Sequence, residues 1–103
     1  MDRRSAPRFE ADHRLRVTVL RPEPEEVDAT IVNVSKTGMR LLLERPVAHG
    51  TPVRLEWEDV LLEGAVVYCQ SLEQQYAIGL QLACPLLDTQ LARLARTPLT
   101  VQP

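Results

Sequence analysis

Residues 53–58 read Val-Arg-Leu-Glu-Trp-Glu, and this alternation of apolar and charged side chains decides the fold class. Successive side chains of a β-strand point to opposite faces, so Val53, Leu55 and Trp57 would face a core while the charged residues face water. An α-helix would instead repeat its apolar positions every three or four residues. The stretch therefore predicts a strand with one buried face.

The same period-two pattern recurs along most of the chain. Strands are predicted over residues 14–20, 29–34, 39–43, 53–58, 61–72 and 76–82. Turn-forming residues separate these runs. Six short strands with short connections are typical of an all-β antiparallel meander that closes, or nearly closes, into a barrel, since closure removes exposed strand edges.

The C-terminal part follows a different period. Leu87, Leu91 and Leu94 recur at helical spacing, and Pro85 suits a first helical position, which predicts one helix over about residues 86–96. A helix of this length is too short to be stable alone. We therefore expect its leucine stripe to pack on the barrel.

Length and charge limit the classes of function. The chain has 103 residues and a formal charge of -2, which predicts a single domain and argues against bulk electrostatic binding of a nucleic-acid polymer. We expect a flexible arginine-rich ligand-binding arm over residues 1–12, a barrel with its helix over residues 13–98, and a tail over residues 99–103. Basic residues outnumber acids in residues 1–8, so a small anion could be captured there.

Several classes of site and location are not expected. The cysteines Cys69 and Cys84 have no metal-ligand or CxxC spacing, and no nucleophile, general base or metal cluster is assembled in the sequence. We expect neither an enzyme nor a cofactor. The apolar runs are too short for a signal peptide or a membrane span, so a cytoplasmic protein without membrane insertion is expected.

Two polar clusters interrupt the apolar pattern. They are Arg4-Ser-Ala-Pro-Arg8, before the first predicted strand, and Asn33-Val-Ser35-Lys-Thr-Gly38, between the second and third. A guanidinium is a rigid fork of donors that pairs with guanine O6 and N7 or with two phosphate oxygens. Asn33 and Ser35 offer donors and acceptors to a second base edge. Gly38 would permit a positive backbone angle and leave space for a flat ring.

Each cluster has an ordinary interpretation when it is taken alone. An arginine pair near a terminus is usually a solvated tail, and Asn, Ser and Gly are common in hairpin turns. The two clusters nevertheless lie on either side of one predicted strand. That joint arrangement favours a site for a guanine nucleotide.

The two clusters resemble the signature of PilZ domains, which is RxxxR followed, after a strand, by [D/N]xSxxG. The similarity covers nearly the whole chain, because residues 64–68 and 76–80 also match such domains. The resemblance implies a six-stranded antiparallel barrel with one C-terminal helix. It further implies a ligand, cyclic di-GMP, which Arg4 and Arg8 would bind through guanine and phosphate. Asn33 and Ser35 would contact a guanine, and Gly38 would give it space.

The resemblance also suggests further contacts and partners. Arg3 precedes the motif as in members that bind a stacked, intercalated pair of ligand molecules, and Lys36 and Arg40 flank the turn where they could reach phosphate. Binding would be relayed by conformational change to an unidentified downstream protein. In this bacterial family, such signalling serves motility, pilus function and exopolysaccharide synthesis in biofilms.

Two alternative functions remain at this point. One is a nucleotide-independent PilZ-like module that binds proteins, although such relatives typically lose the arginine motif. The other is binding of single-stranded nucleic acid, which needs exposed aromatic side chains. The chain has four aromatic residues, and we expect three of them to face inward.

Overall fold

The computed structural model describes residues 7–95 and is a closed barrel of six antiparallel strands followed by one short helix. The elements are β1 (Phe9–Val19), β2 (Glu25–Val34), β3 (Gly38–Leu43), β4 (Pro52–Trp57), β5 (Val60–Ser71), β6 (Tyr76–Leu82) and α1 (Asp88–Leu94). The predicted fold class is confirmed. In β4, the alternation that predicted a strand places Val53, Leu55 and Trp57 in the core.

The order of the strands around the barrel is β1-β2-β3-β6-β5-β4, and β1 pairs with β4 to close it. The predicted meander is therefore wrong, because β3 and β4 are consecutive in the chain but are not neighbours in the sheet. Alternation of side chains shows which face of a strand is buried, but it carries no information on which strands pair. The connection between β3 and β4 spans residues 44–51 and brings β4 alongside β1.

The N-terminal strand begins earlier than its sequence pattern suggests. β1 starts at Phe9, and its pairing with β2 shifts register between Glu10 and His13. The side chains alternate between inward and outward from Phe9 onward, but two of the inward positions hold Ala11 and His13, which are small or polar. The apolar pattern therefore could not be recognised before residue 14. The predicted arm over residues 1–12 consequently overlaps β1, and its first six residues lie outside the described part of the chain.

The helix is shorter than predicted. It begins at Asp88 and ends at Leu94, so Pro85 does not occupy its first turn, and the predicted tail over residues 99–103 lies outside the described residues. Leu87 is 64% exposed, which makes its assignment to the packed stripe wrong. It precedes the first helical turn, where its N–H donates to Gln90 Oε1 at 2.8 Å. Leu86 is buried instead, together with the expected leucines of the helix.

Two residues at the C-terminal end of α1, Arg93 and Ala95, contact the barrel. The Arg93 guanidinium stacks over the Trp57 ring, 4.9 Å from its centroid, and forms ion pairs with Glu58 and Asp59. Ala95 then forms an isolated antiparallel bridge with Ala11 of β1. Within the described residues, no helix is long and apolar enough to cross a membrane.

Truncating Leu86 to alanine is expected to lower the free energy of unfolding by about 2–5 kcal/mol, the usual cost of removing a buried leucine side chain. The neighbouring Leu87→Ala control should change it by less than about 0.5 kcal/mol, because that side chain faces water. Urea unfolding of both variants measures the difference. Equal effects would contradict the assignment of Leu86, rather than Leu87, to the core.

Candidate ligand-binding site

Four residues, one from each of four neighbouring strands, form one continuous row across the barrel. Asn33 of β2 pairs with Arg40 of β3, Arg40 pairs with Gly79 of β6, and Gly79 pairs with Tyr68 of β5. Neighbouring strands lie roughly 4.8 Å apart, so three steps between strands give the row a length of about 14 Å. Residues that are distant in sequence are thus brought to one strip of surface by strand register.

A groove of about 320 Å³ runs along this row. Besides the four members of the row, it is lined by Arg8, Thr37, Gly38, Met39, Val67, Leu80 and Gln81. Three of the predicted site residues, Arg8, Asn33 and Gly38, therefore meet in one groove. Arg3 and Arg4 lie outside the described residues.

Arg8 is held at the β2 end of the groove. Its Nε and Nη2 atoms donate to Asn33 Oδ1 at 3.1 and 2.7 Å. This contact joins the two sequence motifs directly, across 25 positions of the chain. Among residues 7–95, Arg8 uses only one edge of its guanidinium, and neither its other N–H groups nor the amide N–H groups of Asn33 have a partner there that would keep them from a ligand.

Ser35 builds the turn between β2 and β3. Its side chain is 2% exposed, and its hydroxyl accepts from the N–H groups of Thr37 and Gly38 at 3.3 and 3.1 Å. The Ser35 N–H donates to the Gly38 carbonyl at 2.8 Å. The structure thus places the hydroxyl inside the turn, where a direct contact with guanine would require it to leave these partners.

Gly38 is required by strand packing. A Cβ atom at this position would lie 2.7 Å from the Leu80 carbonyl oxygen of β6, which is too close for any side chain. The expected positive backbone angle at Gly38 is wrong, since Gly50 is the glycine that has one, with φ 87°. The small residue is needed because β3 and β6 approach closely here.

The side chains of Lys36 and Arg40 have different partners. Lys36 Nζ forms an ion pair with Asp88 of α1 at 3.0 Å, and Lys36 does not line the groove. Arg40 lies in the groove, where Nη1 donates to the Tyr68 hydroxyl and Nη2 to Gln70 Oε1, both at 3.2 Å. Of the three candidate additional contacts, Arg40 is a member of the row, Lys36 lies away from the groove, and Arg3 lies outside the described residues.

The groove is a positively charged strip on an acidic protein. The charged residues that line it are Arg8 and Arg40, and within residues 7–95 neither forms an ion pair with a carboxylate. Most other basic side chains in that range do: Arg16, Lys36, Arg45, Arg54 and Arg93. Two guanidinium groups without acidic partners make the groove suited to an anion.

Tyr68 lines the groove but is not among the site residues predicted from the sequence. It was one of four aromatic residues of which three were expected to face inward, yet it is 39% exposed. The pairing of β5 with β6 shifts register between Val66 and Tyr68, and β5 from residue 67 onward is exposed on both faces. The weak alternation over residues 61–72 was a signal of this irregularity.

The described residues contain no group of three or more His, Cys, Asp or Glu side chains arranged to hold a metal ion. The groove offers the guanidinium groups of Arg8 and Arg40, side-chain amide groups and the phenol of Tyr68. These are donors and one aromatic ring, which suit recognition of a planar, anionic ligand.

Comparisons with known proteins agree with this fold. The family model described as PilZ domain matches residues 2–97. No curated protein matches the chain significantly.

Three bacterial proteins are among the solved structures with the same fold. The inhibitor of motility MotI/DgrA of Bacillus subtilis is 20% identical, with a TM-score of 0.68 over 91% of this chain and 49% of that one. The PilZ domain with c-di-GMP of YcgR from Escherichia coli is 13% identical, with a TM-score of 0.67 over 90% and 86%. The MrkH–c-di-GMP complex of K. pneumonia is 20% identical, with a TM-score of 0.65 over 87% and 48%. The chain spans about half the length of the MotI/DgrA and MrkH chains.

Replacing Ser35 by alanine is expected to lower the free energy of unfolding by about 1–3 kcal/mol in the absence of any ligand, because N–H groups of a buried turn lose their acceptor. Urea unfolding measures the change. Ser71→Ala makes the same substitution at an exposed position of β5 and should be close to neutral. Unchanged stability of Ser35→Ala would show that the turn does not depend on this hydroxyl.

Proposed function

The chain belongs to the PilZ domain family, whose model matches residues 2–97, and from this premise we propose that it is a receptor for cyclic di-GMP. The observation that carries the proposal is the contact of Arg8 with Asn33, which joins the RxxxR and NxSxxG segments at one end of a basic groove. Two solved structures with the same fold, those of YcgR and MrkH, are complexes with c-di-GMP.

The chemistry of the groove matches the parts of this ligand. Cyclic di-GMP has two phosphates and two guanines, and a guanidinium can pair two-pronged with either group. We assign Arg8 to this role, with Asn33 presenting its amide N–H groups to a guanine edge. Ser35 and Gly38 support the site by fixing the turn and the close approach of β3 and β6 on which Asn33 and Arg40 are displayed.

Arg4 is proposed to bind from the same segment as Arg8. Residues 4–6 lie outside the described part of the chain; if they become ordered only on ligand binding, as predicted, the cost is roughly 1–2 kcal/mol for each residue. Each charge-assisted hydrogen bond contributes roughly 1.5–3 kcal/mol in return. Several such bonds to phosphate and guanine are sufficient to offset this cost, so the segment can close over the ligand.

Arg40 is proposed as a second cation for the ligand. It lies one strand away from Asn33 in the row and has no carboxylate partner within the described residues. Occupation by a stacked, intercalated pair of ligand molecules, to which Arg3 would contribute, remains a prediction. Lys36 is left out of the proposed site because its ammonium is paired with Asp88.

The turn beside the groove offers a route for relaying ligand binding to a partner protein. Its groove side carries Asn33, while its opposite side contacts the segment that leads into α1: Leu86 N–H donates to the Lys36 carbonyl at 2.8 Å, and Lys36 Nζ binds Asp88. A shift of this turn on binding would therefore move the start of the helix. The partner and the expected cytoplasmic location remain predictions, and no enzymatic activity is proposed.

Arg8→Ala and Arg4→Ala are each expected to weaken binding of cyclic di-GMP by at least about tenfold, because each removes charge-assisted hydrogen bonds to the ligand. Isothermal titration calorimetry measures the affinity. Arg14→Ala is the matched control, since Arg14 is exposed on β1 and does not line the groove. It should bind like the wild type.

The same titration separates the proposal from its alternative. Absence of both heat and ligand-induced chemical-shift changes in the wild-type protein would favour a nucleotide-independent interaction module. Binding that survives the loss of Arg8 unchanged would place the ligand elsewhere on the barrel.

A further inference from the structure

The first half of β1 lacks the neighbour that the second half has. β4 pairs with β1 over residues 16–19 and ends at Trp57, whereas β1 itself begins at Phe9. Within residues 7–95, the contact that the first half makes on this side of the sheet is the isolated antiparallel bridge between Ala11 and Ala95. The residue that follows α1 therefore takes the place of β4 beside the start of β1.

The same half of β1 carries part of the candidate site. Arg8 immediately precedes the strand, and Glu10 pairs with Asn33, which accepts both hydrogen bonds from Arg8. Ala11 lies three residues after Arg8 in the chain. β2 holds this part of β1 on one side, and the bridge to Ala95 holds it on the other, close to the point where Arg8 must be placed.

A cluster of side chains keeps Ala95 in this position. Arg93, two residues before Ala95, stacks over the Trp57 ring and forms ion pairs with Glu58 and Asp59 of the turn between β4 and β5. We refer to Trp57, Glu58, Asp59 and Arg93 as the clasp. It joins the end of α1 to the hairpin at the point where β4 stops pairing with β1.

Two further observations concern the clasp. Glu58 has a φ of 56°, in the left-handed region that a glycine would adopt without strain. A glycine there would lack the carboxylate that pairs with Arg93. His13 of β1 contacts the Trp57 ring, with the two ring centroids 5.0 Å apart. The ring therefore touches both α1 and the first half of β1.

The clasp could serve the stability of the helix alone. Leu91 and Leu94 are buried, however, and already anchor α1 in the core. What the clasp adds is the path of the chain after the helix, because Ala95 is extended, with φ -70° and ψ 136°, and lies against β1. Its effect therefore falls on the part of β1 that leads back to Arg8.

We propose that Arg93 is a positioning residue for the ligand groove, because the clasp keeps Ala95 on β1 and thereby keeps Arg8 in contact with Asn33. The inference rests on the proposed function. Arg93 does not line the groove. When only a fraction of the molecules has the competent arrangement, the apparent affinity falls by that fraction. Loosening the clasp should therefore weaken binding without removing a ligand contact, and ligand binding should in turn tighten the clasp.

The first test is titration of cyclic di-GMP into the wild-type protein and three variants. Arg93→Ala should bind about threefold to fivefold more weakly, as expected when one cation–π contact and an exposed ion pair no longer stabilise the competent arrangement. Arg93→Lys keeps a cation near the ring and should bind within about twofold of the wild type. Arg45→Ala is the matched control, since Arg45 also pairs with a surface glutamate but belongs to neither the clasp nor the groove.

Hydrogen exchange separates positioning from overall stability. In Arg93→Ala without ligand, the amides of residues 9–11 should exchange faster, whereas those of β3 should exchange as in the wild type. The side-chain amide resonances of Asn33 should also shift, because its contact with Arg8 is weakened. Thermal unfolding of each variant checks that the barrel is intact.

Trp57 reports the coupling in the reverse direction. It is the single tryptophan of the chain and does not line the groove. Saturation with cyclic di-GMP should change its fluorescence lifetime in the wild type, and this change should be lost in Arg93→Ala. Should Arg93→Ala not fold, the double variant Glu58→Gln with Asp59→Asn removes both carboxylates of the clasp and should weaken binding in the same way.

Failure of this inference is distinguishable from failure of the proposed function. If the wild type binds and Arg8→Ala binds far more weakly, but Arg93→Ala binds like the wild type, the positioning role is wrong and the receptor assignment stands. An equal loss in Arg45→Ala, or a loss in Arg93→Ala without faster exchange at residues 9–11, would also overturn the positioning role. No binding to the wild type would overturn both.

Discussion

Strand register is the constraint on which the candidate site depends. Asn33, Arg40, Gly79 and Tyr68 belong to four strands and meet only because β2, β3, β6 and β5 pair in one register. A slip of one residue would turn each side chain of the slipped strand to the opposite face. The Ser35 turn and the close approach of Gly38 to the Leu80 carbonyl fix this register beside the groove. Ser35 and Gly38, which the sequence suggests as ligand contacts, therefore also stabilise the sheet that positions the other residues of the candidate site.

The fold could be predicted well from the sequence because it depends on local alternation. Buried positions in β4, and a barrel of six strands with one helix, follow from which side chains must avoid water. Pairing order could not be predicted this way, since the connection after β3 crosses to β4 beside β1 without a local signal. The assignment of Leu87 to the packed stripe was wrong for a related reason. Helical spacing does not show where the first turn starts, and the helix begins at Asp88, just after Leu87.

The candidate site could be predicted from the sequence only as far as the two motifs indicate it, and its role in ligand binding stays a prediction. Arg8 and Asn33 were identified from spacing, and they are in contact. Tyr68 was not identified, because its position in the groove depends on a register shift in β5 and on a glycine eleven positions further along the chain. Ser35 and Gly38 were identified, but the structure places the hydroxyl in the turn and the missing Cβ against a carbonyl. Motifs locate a site, whereas long-range pairing decides how each residue contributes.

Arg8 and Arg40 form no ion pair with a carboxylate of residues 7–95, and this has a consequence for the electrostatics of the groove. Carboxylates accompany most basic side chains elsewhere on the described surface, so acids were readily available to balance these two as well. Like charges in one groove repel each other. Under the proposed function, the ligand would supply the countercharge that the described side chains of the groove do not provide, so its binding would relieve this repulsion.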